Sequence, residues 1–268
     1  MEAIYRVGGE LDLIITLKDE KAKKKSGRIY VDEFAAKHNI PVLKINHVND
    51  AEVIDVLKRL NIDWLFIIGW SQIAATETIK TPKKGAIGAH PTLLPEGRGR
   101  AAIPWAIIKG LTKTGVTFFK MDEGVDTGSI LGQYEIPLAP AETATVLYDK
   151  VNQAHIQLIE KIWEDLAADR VEAMVQDESK ATYWEGRTPA DGELHREMTV
   201  LEVDTLVRAT TRPYPGAYLV DDGVKKILWK GRIASELPKY SSPNELPIQF
   251  SNGFYIAEEW EVVNPTGN

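Results

Sequence analysis

Short, continuous apolar runs separated by helically spaced segments fill the first part of the chain, and no other pattern restricts its fold as strongly. The runs are "LDLIITL" (11–17), "PVLKI" (41–45) and "WLFIIG" (64–69). Runs of this kind suit parallel strands covered on both faces. Between the second and third, "NDAEVIDVLKRLN" places Asn49 and Glu52 at capping-box spacing and repeats Val53, Val56, Leu57 and Leu60 at helical intervals. The stretch reads as a βαβ unit, so the expected class is α/β with a parallel sheet.

Further along, "ETATVLYDKVNQAHIQLIEKIWEDLAAD" reads as one long helix with Leu147, Val151, Leu158, Ile162 and Leu166 along a stripe. His155 sits beside that stripe and is expected to be a packed or half-buried structural histidine. Around "YWEGRTPADGE" (183–193) the periodicity stops and Pro, Gly and charged residues cluster, which marks a linker. A mostly β module follows. "TVLEVDTLVRA" has the spacing of a short helix, and "GAYLVDDGVKKILWKGRI" and "LPIQFSNGFYIAEEWEVV" each place a turn signal between β-type segments. The expected organisation is a catalytic domain over 1–182, a linker over 183–195 and a smaller β-rich domain over 196–268.

With 268 residues, 44% of them hydrophobic, the chain can bury a sizeable core. No apolar run approaches the length needed to cross a bilayer, and the start, "MEAIYRVGGELDLIITL", lacks the pattern of a signal peptide, so a cytoplasmic protein is expected. The absence of cysteine removes disulfides, thiolate zinc sites and a cysteine nucleophile together. Five histidines without HExxH-like spacing give no reason to expect a metal site. A formal charge of −7 disfavours broad nonspecific binding to nucleic acid.

Two loops carry the residues suited to chemistry. His90 follows the small-residue run "KKGAIGA", placed after a predicted strand, and precedes the proline-punctuated "PTLLPEGRGR". Active sites of open parallel sheets lie at the carboxyl ends of strands, which is where this histidine falls. "KMDEGVDTGSI" (120–130) supplies three acids. A catalytic histidine needs a carboxylate to hold its tautomer and raise its basicity, and Asp122, Glu123 and Asp126 are the candidates.

Taken together, these segments resemble the folate-dependent formyltransferase family, which includes methionyl-tRNA formyltransferases, glycinamide ribonucleotide transformylases and nucleotide-sugar N-formyltransferases. "HPTLLPEGRGRAAIPWAI" is similar to the family's His-x-Ser-Leu-Leu-Pro-x-x-Arg-Gly segment, and "TGVTFFKMDEGVDTG" to its Thr-Gly-Val-Thr...Asp-x-Gly segment. "GRTPADGEL" and "RATTRPYPGAYLVDDGVKKILWKGRI" resemble the linker and C-terminal domain of the tRNA and sugar branches. The resemblance implies a Rossmann-like formyltransferase domain followed by the β-rich module, with direct formyl transfer from N10-formyltetrahydrofolate to an amine and no required metal. It assigns His90 and Asp126 to catalysis. It implies that Gln72, Ile73 and Ala74 hold the pterin through backbone groups, that Asp122, Glu123, Gly124 and Val125 form the other folate-contacting loop, and that Arg100 is a binding arginine.

Two departures from the family accompany this. Where the family has Asn-x-His, with the asparagine as a donor to the developing oxyanion, this chain has Gly88-Ala89-His90. Gly88 is expected to let a backbone N–H or a water approach where a side chain would stand. The family also opens with a strand that lies inside the sheet, whereas "MEAIYRVGG" resembles the helix after it, so an inner strand is expected to be missing.

For the acceptor, the sequence favours the amino group of a nucleotide-linked sugar, with "RATTRPYPGAY" closer to the sugar branch. From residue 189 onward eight Lys/Arg stand against twelve Asp/Glu, a poor match to a tRNA-binding domain. Methionyl-tRNA is the alternative, supported by the basic run "DEKAKKKSGR" (19–28). A folate- or sugar-binding homologue without turnover is the third reading, motivated by Gly88.

Overall fold

The computed structural model describes residues 1–22, 29–70, 72–238 and 242–263, so most of the basic run, Lys23 to Lys25 included, lies outside the described residues. The chain forms two compact units, one of residues 1–99, 115–136 and 152–183, the other of 100–114, 137–151 and 184–268. Among the described residues no helix is long and apolar enough to cross a membrane.

The first unit begins with α1 (Glu2–Arg6), β1 (Ile14–Leu17), α2 (Asp19–Ala22), α3 (Asp32–His38), β2 (Val42–Ile45), α4 (Ala51–Leu60), β3 (Trp64–Ile67), α5 (Thr76–Lys80) and β4 (Gly85–His90). Each continuous apolar run thus becomes a strand. β1 and β2 pair in parallel, Ile14 opposite Val42, and β3 and β4 pair in parallel, Trp64 opposite Gly85. The small-residue run ahead of His90 is itself β4, rather than a segment following a strand. After β5 (Arg98–Gly99) and α6 (Ala102–Ile108), β6 (Lys113–Lys120) runs antiparallel to β4 with Gly88 opposite Phe119 and His90 opposite Thr117. β7 (Ile130–Pro137) completes a four-stranded sheet of order β3-β4-β6-β7.

The expected βαβ unit through α4 takes another form. β2 is bonded to β1 and β3 to β4, in separate sheets, so the helix joins two pieces instead of bridging neighbours. What the pieces share is apolar packing: Ile45 of β2 is buried with Val53 and Leu57 of α4, and Leu65 of β3 packs against the same cluster. The parallel strands thus fall into two hydrogen-bonded pieces, β1-β2 and β3-β4.

Asn49 does not cap α4. Asp50 takes the N-cap position, and the Asn49 side chain turns instead to the segment after β3, where its Oδ1 accepts from Ala75 N–H (2.8 Å) and its Nδ2 donates to Ile73 C=O (3.0 Å). A tertiary pair of partners outcompetes the local cap.

α7 (Ala144–Ala167) is the predicted long helix, and Leu147, Val151, Leu158, Ile162 and Leu166 are all buried. Leu158 and Ile162 approach Gly132 of β7, where a side chain would leave no room for them. His155 is half-buried with its ring 5.8 Å from that of Phe118, as a structural histidine should be. β8 (Tyr183–Trp184) pairs with β5.

In the second unit, α8 (Val200–Thr210) starts at a capping box of Thr199 and Glu202. It packs on an antiparallel sheet of order β11-β12-β10-β9, made of β9 (Ala217–Asp221), β10 (Val224–Ala234), β11 (Leu246–Phe250) and β12 (Gly253–Val263). Both predicted hairpins are present, and Val203, Val207, Leu219, Leu228, Ile248 and Tyr255 form the core between helix and sheet.

Candidate active site

His90 is the last residue of β4, at the carboxyl end of the strand, and only 6% of it is exposed. The turn after it is anchored on Thr117, whose hydroxyl accepts from Leu94 N–H (3.1 Å) and donates to Thr92 C=O (2.7 Å). This brings Gly97 back to the imidazole: His90 Nε2 lies 2.7 Å from Gly97 C=O. A carbonyl oxygen can only accept, so Nε2 carries the proton and the neutral ring presents a bare Nδ1. That atom faces Asp126 Oδ2 at 3.5 Å, outside close hydrogen-bond distance, and the two form an ion pair only when Nδ1 takes up a proton.

Asp126 is held by the backbone. Its Oδ2 accepts from Gly99 N–H at 2.9 Å, and its own φ is +55°, a left-handed conformation that aspartate tolerates better than most side chains. The two other acids of the loop are occupied elsewhere. Asp122 Oδ1 accepts from Gly124 N–H (3.0 Å) and the Thr127 hydroxyl (2.6 Å), closing its own turn, and Glu123 pairs with Lys80 at 3.2 Å. Of the three sequence candidates, Asp126 is the one the fold sets against His90.

Asp122, Glu123 and Gly124 line a cleft of about 570 Å³ with Ile79, Met121 and Lys120 on its walls, while Val125 is exposed. Gln72 spends its side chain within its own region, accepting from Val48 N–H (2.9 Å) and donating to Asn46 C=O (3.0 Å). Ile73 projects to solvent, 82% exposed, and Ala74 is half-buried. Arg100 belongs to the other unit, where its N–H donates to Trp184 C=O (3.0 Å) and its side chain lies beside Gly186.

Of the two expectations for Gly88, the approach of a water is corrected. A Cβ built there would lie 2.6 Å from Phe119 Cζ and 3.2 Å from Met121 Cγ. The space is taken by an aromatic ring from the neighbouring strand, so it is not open to a water. Phe119 is 3% exposed and packs with Leu94 and Ile130, which limits how far it can yield. Gly88→Asn alone is therefore expected to cost about 1–3 kcal/mol by overpacking, read from the denaturation midpoint. Adding Phe119→Val should restore most of it; equal loss in the single and double variants would show that the ring is not the obstacle.

Sequence reasoning passed over two buried polar residues beneath this site, Arg98 and Gln176. Arg98 is fully buried, and its guanidinium meets Glu178, Gln176 and Tyr183. The hydrogen bond to Glu178 raises the Arg98 pKa above its usual range, and the same bond lowers that of Glu178. The signal available in the sequence was the family's Arg-Gly pair, which falls on Arg98-Gly99 and not on Arg100, the arginine expected to bind.

Residues 6–162 match the formyl transferase family model. The chain is 30% identical to the bifunctional polymyxin resistance protein ArnA of Wigglesworthia glossinidia brevipalpis over 246 residues, covering 92% of this chain but 37% of that protein's length. It is 29% identical to the methionyl-tRNA formyltransferase of Lachnospira eligens, over 98% of this chain and 86% of that one. The N-formyltransferase from Helicobacter canadensis, solved with folinic acid and dTDP-3-aminofucose, superposes with a TM-score of 0.63 at 18% identity, covering 92% of this chain and 98% of that one. Fold, paired site loops and sequence agree, and the chain belongs to the formyl transferase family, whose co-substrate is N10-formyltetrahydrofolate.

Proposed function

We propose that the protein transfers the formyl group of N10-formyltetrahydrofolate to the primary amine of a nucleotide-linked amino sugar, with His90 and Asp126 as its catalytic residues. The observation that carries the chemistry is the bare Nδ1 of His90, fixed by Gly97 and facing Asp126. As the amine nitrogen bonds to the formyl carbon it must shed a proton, and Nδ1 is the basic atom available. The Asp126 carboxylate then stabilises the imidazolium that results. The same proton is returned to N10 as the bond from the formyl carbon to N10 breaks, so protons balance across the reaction. The cleft beside Asp122–Gly124 has the volume of a small-molecule site, and its walls mix the apolar Ile79, Pro82 and Met121 with the cationic Lys80, Lys84 and Lys120, a lining that would meet an anionic folate.

The sugar acceptor rests on charge. Of the seven described Lys/Arg beyond residue 189, six are ion-paired: Arg196 and Lys226 with Asp221, Arg208 with Asp204, Arg212 with Glu259, and Lys230 and Arg232 with Glu258. Such a surface offers few cations to a run of phosphates, while a nucleotide sugar brings only its diphosphate. The Helicobacter enzyme's amino-sugar nucleotide is the same class of acceptor.

The test is a formyl-transfer assay with amino-sugar nucleotides and methionyl-tRNA, on the wild type and on a variant with Lys21, Lys23, Lys24 and Lys25 replaced by alanine. Sugar formylation unchanged by the replacements is expected. Formylation of methionyl-tRNA alone, salt-dependent and impaired by the replacements, would move the acceptor to tRNA. Binding of folate and acceptor with no formyl product would favour a homologue without turnover.

A further inference from the structure

Gln176 lies 50 residues from Asp126 in sequence and touches no group that the proposed reaction uses directly, yet it is 6% exposed and every one of its amide valences is filled. Its Nε2 donates to two carbonyls of the 121–128 loop, Asp126 C=O at 2.8 Å and Gly128 C=O at 2.7 Å. Its Oε1 accepts twice from Arg98, from Nε at 3.1 Å and from the NH2 nitrogen at 2.8 Å. The remaining guanidinium N–H groups go to Glu178 Oε1 and Oε2 and to the Tyr183 hydroxyl. A carboxamide with two donors and two acceptor sites, and a guanidinium with five donors, are both saturated, which leaves neither free to rotate.

Arg98 is also the residue between the two backbone groups that hold the site. Gly97, before it, offers the carbonyl that fixes His90 Nε2, and Gly99, after it, offers the N–H that holds Asp126 Oδ2. One side chain thus ties the His90 wall of the site to the loop that carries Asp126. We infer that Gln176, through Arg98, is a positioning residue that sets the Asp126 carboxylate against His90. The inference rests on the catalytic reading of that pair, and its structural half can be tested without turnover.

The discriminating variant is Gln176→Glu in the full chain. It keeps the length of the side chain and its acceptor toward Arg98 and removes both N–H donors, so the loop carbonyls of Asp126 and Gly128 lose their anchor while the Arg98 cluster stays paired. The expected result is a folded protein melting within a few degrees of wild type, with Gly99 amide hydrogen exchange accelerated because Asp126 no longer holds that N–H. Its kcat should fall roughly 10–100-fold with the acceptor KM within about 3-fold, the pattern of a misplaced catalytic group. A folded Gln176→Glu with wild-type Gly99 exchange, or with kcat within about 3-fold of wild type, would overturn the inference. If the wild type forms no product with any acceptor, Gly99 exchange alone decides, which separates failure of the bracket from failure of the proposed reaction. Gln176→Met, similar in length and without donors, is measured in the same way and carries the test if Gln176→Glu does not fold.

Discussion

His90→Ala is expected to lower formyl transfer about 10²–10⁴-fold, the range for removal of a positioned general base, with folate binding retained. The ring is pinned through Nε2 by Gly97 C=O, so no rotation of a neighbouring residue can present an equivalent nitrogen at the same point. Asp126→Asn is the sharper partner experiment. Asparagine tolerates the +55° φ and keeps an oxygen for Gly99 N–H, so the backbone should stay as it is while the charge facing Nδ1 disappears. A fall of about 10²-fold or more is expected for it as well, because the imidazolium formed in the reaction loses its counter-charge. Transfer within a few-fold of wild type in either variant, measured under single-turnover conditions, would remove the pair from the mechanism.

The pairing of His90 with an acid was legible because strand ends are where open parallel sheets place chemistry, and β4 ends at His90. Which acid was not legible from spacing, since Asp122, Glu123 and Asp126 sit in one short loop and only the fold distinguishes them. The family resemblance chose Asp126; the structure supplies the physical reason, in that Asp122 is consumed by its own turn and Glu123 by Lys80. The misreadings share one cause. Asn49 has a perfect local role at the head of α4 and takes a distant one, bonding residues 24 and 26 positions away. Gly88 reads as an empty place until β6 is laid beside β4 in its register and Phe119 falls opposite. The Gln176 bracket joins segments 78 and 50 residues apart, and no periodicity or spacing connects them. Apolar period determines elements; polar partners at long range are decided by topology, which the sequence displays only through recognised motifs.

Gly128→Ala should be among the most damaging single methyl additions in the chain. The Cβ it adds would fall far inside contact distance of the Lys120 carbonyl oxygen, which is backbone and cannot rotate aside. Lys120 is also committed on its other side, donating its N–H to Ser129 C=O at 2.8 Å, so the two strands cannot part without losing a bond that closes the loop. Relief by moving residue 128 outward is opposed by Gln176, whose Nε2 holds Gly128 C=O at 2.7 Å. A loss of about 3 kcal/mol is therefore expected, at the upper end for overpacking, read by chemical denaturation. Transfer should fall about 10²-fold or more in the fraction that stays folded, since Asp126 lies two residues before the displaced backbone. Gly110→Ala separates this from a generic glycine effect. It has a φ of +62° with open space where the methyl would go, so it should cost about 1–2 kcal/mol from backbone strain alone and leave transfer unchanged. Equal stability and equal activity for the two variants would mean that the loop yields freely at residue 128, and then neither the hairpin closure nor Gln176 could be what holds Asp126 in place.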